Sequence, residues 1–118
     1  MNGKANWELL WTDVNGVAEG NAAYLDLKNY KVFAMLTSAT GGFIFFNRNN
    51  PTGITKDVIV GTPSLLNWAT DTPTVGAFIV RMDIYQDHIW FHQIRDYIGN
   101  SWWATERKIY AIYGVSKY

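Results

Sequence analysis

The side chains of this chain best equipped for acid–base or metal chemistry lie in one stretch: Asp83, Asp87, His88, His92 and Asp96. His88 and His92 are four apart, and in a strand they would share a face at a separation of about 13 Å, too far to ligate one metal ion. Both are read as surface or structural, with His88 solvated beside a turn at Gln86-Asp87. Paired carboxylates run glycoside chemistry when held roughly 5 to 10 Å apart. Three aspartates spread along a hairpin read as a solubilising face. Nucleophilic catalysis has little to draw on, because there is no cysteine and no G-x-S-x-G elbow. Asp13-Val14-Asn15-Gly16 has the start of a calcium loop but lacks the later ligands, so it reads as a turn. No glycine-rich phosphate cradle leads from a strand into a helix. The residues therefore predict a protein that is not an enzyme, with no cofactor and no metal.

What remains is aromatic. Six Trp, seven Tyr and six Phe make up 16% of the chain, a share that must serve a core, a recognition surface, or both. Trp102 and Trp103 are adjacent, so on a strand they point to opposite faces. Trp68 sits in the longest irregular segment, and Tyr97 precedes a Gly99-Asn100 break. Indole and phenol rings beside polar groups suit sugars, whose C–H faces stack while their hydroxyls take hydrogen bonds. The candidate ligand-binding set is Trp68, Tyr97, Trp102 and Trp103, with Arg95 and Asp96 supplying polar contacts. The competing reading places the same rings at the ends of the core or in a subunit interface.

The elements that must position these residues are strands. Apolar residues alternate with period two nearly throughout, and no capped helical pattern occurs. Trp7, Leu9 and Trp11 are expected on one face of a first strand that turns at Asp13–Gly16. Strands follow at 22–27 and 30–38, the second apolar on both faces and so central. Phe43–Phe46 and Asp57–Gly61 are short strands around a loop at 47–56. After an irregular stretch, 62–76, come Ala77–Tyr85 with Phe78, Val80, Met82 and Ile84 inward, then His88–Ile98, Trp102-Trp103 and a last strand over 108–115. About eight short strands predict a single all-β domain, an antiparallel β-sandwich or jelly roll.

Composition narrows the partners. Ten basic residues balance ten acidic ones, without the basic face that nucleic acid demands. A net charge of zero does little to keep copies apart, so a homo-oligomer is expected. No apolar run approaches a membrane span, and the polar residues 1–6 do not form a signal peptide.

Both ends of the chain carry a pattern. Asn6-Trp7-Glu8-Leu9-Leu10-Trp11 opens it, Leu27-Lys28-Asn29-Tyr30-Lys31-Val32 begins a long strand, and Lys108-Ile109-Tyr110-Ala111-Ile112-Tyr113-Gly114-Val115 closes it. This frame resembles the C-terminal modules of tail-fibre and baseplate proteins from phages and prophages of Gram-positive bacteria. The resemblance implies a β-sandwich head, three copies per particle, a virion or extracellular location, and recognition of saccharides on the host surface. A stand-alone bacterial carbohydrate-binding module and a purely structural assembly protein are the alternatives. Polar-flanked rings on one face favour sugar binding, whereas a large apolar patch favours assembly.

Overall fold

A computed structural model of the chain describes residues 6–27, 29–37, 43–64, 76–98, 101–104 and 107–118. Among these, nine strands and no helix are present: β1 (Glu8–Val17), β2 (Asn21–Tyr24), β3 (Tyr30–Thr37), β4 (Phe43–Asn47), β5 (Thr55–Ser64), β6 (Gly76–Ile84), β7 (His88–Ile98), β8 (Ser101–Ala104) and β9 (Ile109–Lys117). They form two antiparallel sheets. The first runs β1-β9-β3-β4, and the second runs β2-β7-β6-β5 with β8 paired to β7. The expected sandwich is present, and among the described residues no helix is long and apolar enough to cross a membrane.

Period-two alternation builds the core, since every second side chain of a strand points to the same face. Phe33, Met35, Ile44, Phe46, Ile109 and Ile112 from the first sheet meet Ala23, Phe78, Val80, Met82, Ile84, Ile89, Phe91 and Ile94 from the second. All four residues expected inward on β6 are there and fully buried. β3 is internal and apolar on both faces, as expected: Ala34, on the face away from the core, is also buried.

Two local expectations are corrected. Asp13–Gly16 is not a turn: β1 continues through it to Val17, and the extra residues are absorbed as a bulge against β9. Gly16 carries the bulge with φ of +75°, and a Cβ there would lie 2.8 Å from both Lys108 Cβ and Tyr110 Cε1. The chain reverses instead at Ala18–Gly20. Trp7, Leu9 and Trp11 also do not share a face. A register shift between Leu9 and Trp11 sets Trp11 opposite buried Ile112 and Leu9 opposite Tyr113, so Leu9 turns outward while Trp11 packs on the core.

The loop between β4 and β5 hides a buried cation. Arg48 donates from Nε to the carbonyl of Tyr30 at 2.9 Å and lies against the rings of Phe33 and Tyr118. Flat, delocalised guanidinium tolerates such a site better than an ammonium would.

Candidate functional site

The outer face of the second sheet gathers both histidines of the chain. Cross-strand pairing sets Tyr24 of β2 opposite His88 of β7, and Ala22 opposite Trp90, which in turn faces Asp83 of β6. Residues opposite one another in an antiparallel ladder share a face, so these side chains form rows across three strands. In the first row Tyr24, 71% exposed, stacks on His88 with ring centroids 5.3 Å apart. His88 stacks in turn on Tyr85 at 4.2 Å with the planes 9° from parallel, and Lys56 Nζ lies 6.0 Å from the Tyr85 ring. His88 is therefore clasped between two phenol rings, not simply solvated. Its Nδ1 meets Asp87 Oδ1 at 2.7 Å. That hydrogen bond, with the neighbouring imidazole charge, holds the Asp87 carboxyl below the ordinary aspartate range.

The second row is polar. A register shift between Arg81 and Met82 leaves His92 as the extra residue of a β7 bulge. Trp90 Nε1 donates to His92 Nδ1 at 3.1 Å, so Nδ1 acts as acceptor and the ring proton sits on Nε2, which faces Asp83 Oδ2 at 3.0 Å. Asp83 Oδ1 accepts the Asp57 backbone N–H at 2.8 Å, and Lys56 Nζ stands 3.9 Å from Oδ2. Burial pushes the Asp83 carboxyl up, but the Asp57 N–H, His92 and Lys56 together hold it below the usual range. Asp57 itself has φ of +54°, alone in that region among the described non-glycine residues, and it sits in a β5 bulge. Its carboxylate takes both Nε and Nη2 of Arg81, at 3.0 and 2.6 Å. Left-handed backbone is uncommon outside glycine but is more accessible to aspartate than to most residues, and here it accompanies the β5 bulge.

Five of the six residues singled out from sequence fall at the other end of the same sheet. Arg95 is committed to Glu19, whose Oε1 and Oε2 receive Nε and Nη2 at 2.7 Å each. Glu19 Oε1 also accepts the Ile94 N–H at 3.0 Å. This fills a gap along β7, where β2 pairs with residues 88–91 and β8 only with 95–98. The Arg95 hydrogen bonds pull the Glu19 carboxyl down against the opposing effect of burial, helped by the Ile94 N–H. Asp96 is buried and receives Arg107 Nε at 2.9 Å. Trp103 stands opposite Asp96 in the ladder and is 56% exposed. Tyr97 pairs with Trp102 along the backbone, and Trp68 lies outside the described residues. Register thus brings Arg95, Asp96, Tyr97, Trp102 and Trp103 together at the β7–β8 end, with Arg95 and Asp96 tied to protein partners.

Sequence reasoning passed over Tyr24, Tyr85 and the two histidines as a group. A signal was present for Tyr24, which alternates with Ala23 and Leu25, both buried. The His92 bulge had no sequence signal.

No group of three or more His, Asp or Glu side chains among the described residues could hold a metal ion. Neither family models, curated proteins nor solved structures yield a match to this chain.

Proposed function

We propose that this protein is a non-catalytic saccharide-recognition module that reads its ligand on the outer face of the second sheet. The Tyr24–His88–Tyr85 stack carries this reading. It offers an exposed ring stacked on its neighbour, in a row with the Asp87 carboxylate on His88 and the Lys56 amine near Tyr85. A sheet face with an exposed stacked ring and flanking polar groups matches a pyranose, which presents C–H bonds on one side and hydroxyls around its rim. Preorganisation by stacking also lowers the entropy lost on binding.

The arrangement of His92 argues against a general-base role for that side chain. An Asp–His pair resembles half of a catalytic triad, but here both imidazole nitrogens are engaged, Nδ1 by the Trp90 N–H and Nε2 by Asp83. A base with no free nitrogen cannot take a proton from a nucleophile.

The tail-module resemblance fits within this proposal. Its opening and closing patterns are neighbours in space, β1 pairing with β9 from Glu8 opposite Gly114 to Val17 opposite Ile109. The module would then be the receptor-binding head of a phage or prophage tail, acting on saccharides of the host surface.

An array of bacterial surface saccharides tests the proposal. Wild-type protein should bind a defined subset, Tyr24→Ala should lose at least about tenfold in affinity, and Trp103→Ala at the far end should bind as wild type. An array left unbound by wild-type protein, or bound equally by Tyr24→Ala, would sink the reading. Loss in Trp103→Ala alone would move the site to the β7–β8 end.

A further inference from the structure

The outer face of the first sheet is built unlike that of the second. Register aligns Leu9, Tyr113, Ala34 and Phe45 in one row across all four strands, and Thr12, Ala111, Leu36 and Phe43 in the next. Only Thr12 and the Tyr113 hydroxyl are polar in those two rows, and none of the eight residues is charged. Trp7 lies over them, its ring 5.1 Å from Phe43, 5.6 Å from Phe45 and 6.0 Å from Tyr113. Phe43 and Tyr113 close the cluster edge to face at 5.7 Å. Phe45, Leu9 and Phe43 remain 52, 50 and 41% exposed. The solvent face of a two-layer antiparallel sandwich is ordinarily polar. A contiguous apolar patch of aromatic rings on such a face marks a contact surface.

We infer that this face is where a second copy of the chain docks, sheet against sheet. Charge selects that occupant. A patch without charges offers no handle to a charged partner, but it meets its own copy without like-charge repulsion, the requirement of a self-complementary interface. The chain as a whole is also neutral, so no long-range field holds copies apart. Area is sufficient as well. Four strands about 4.8 Å apart, with the eight residues of β3 rising about 3.3 Å each, make a face about 19 by 26 Å, or about 500 Å². Two whole faces together cover about 1,000 Å², the least that a specific interface needs and the size of a weak, concentration-dependent one. Sheets stacked face to face pack about 10 Å apart, which leaves room for the rings of both copies to interdigitate. This inference is independent of the saccharide site, which lies on the opposite side of the sandwich and stays open when the first sheets meet.

Sedimentation velocity across micromolar concentrations tests it. Wild-type protein should sediment above the mass of one copy. Phe45→Lys and Leu9→Lys, at opposite edges of one row, should each weaken association at least about a hundredfold by placing an unpaired charge in the contact. Ile59→Lys, exposed on the other sheet, should associate as wild type. Since both test positions are half exposed, circular dichroism should show the same fold in each. Wild-type protein at the mass of one copy throughout would overturn the inference, whether the patch then binds lipid vesicles, another protein or nothing. Association unchanged in both lysine variants would overturn it equally.

Discussion

At the scale of single residues, Asp83 is the hinge of the candidate face. It is buried on β6, yet three groups from two neighbouring strands converge on or beside its carboxylate: the Asp57 N–H and Lys56 from β5, and His92 from β7. Its carboxyl titrates below the range of an unfolded aspartate. A lowered folded-state value means that the stabilisation is fully present above the unfolded value and is lost as pH falls through the folded one. Glu19 has the same sign, through Arg95. Urea midpoints should accordingly drop as pH is lowered from about 5 towards 2. Asp83→Asn should cost about 1 to 3 kcal/mol at neutral pH, because the Asp57 N–H and His92 lose a charged acceptor, and should flatten that decline. A pH profile of Asp83→Asn parallel to wild type would assign the acid sensitivity elsewhere.

At the scale of elements, strand order decides which side chains can cooperate. β7 is the longest strand and has two short partners on one edge, β2 and β8. The break between those partners is closed by Glu19, which reaches from the β1–β2 reversal to the Ile94 N–H and the Arg95 guanidinium. Glu19→Ala therefore removes a bidentate charged pair and leaves a backbone donor unmatched. The expected result is a urea midpoint below that of wild type. Hydrogen exchange at the Ile94 amide should accelerate more than exchange at Phe91, which stays in the β2 ladder. Equal acceleration at both amides would show that Glu19 holds the whole strand instead of the gap.

The strands themselves were legible because period-two alternation reports a buried face directly, and Phe78, Val80, Met82 and Ile84 are the clearest case. The bulges were not. The shifts at Leu10, at Thr12–Val17 and at His92 each move later side chains to the other face, and no local residue pattern announces them except Gly16. That is why Trp7, Leu9 and Trp11 read as one face although the structure splits them. Arg95 and Asp96 were legible as polar residues in a strand. Their partners Glu19 and Arg107 come from other segments, and pairing across the fold is invisible to periodicity.

At the scale of the whole molecule, the sandwich presents two outer faces of different chemistry. The first sheet shows a charge-free ring cluster around Trp7, and the second shows stacked rings laced with Asp57, Asp83, Asp87, Arg81 and Lys56. We propose that the first face joins copies and the second reads a hydroxylated ligand. The most direct measurement of the central claim is where a saccharide touches the molecule. A saccharide that binds on the array would be titrated in soluble form into isotope-labelled protein, and amide shifts mapped by nuclear magnetic resonance. The account predicts shifts centred on Tyr24, Tyr85, His88 and Trp90, with Leu9, Ala34 and Phe45 unmoved. Shifts centred on the first sheet, or none with saccharides that bind on the array, would contradict it.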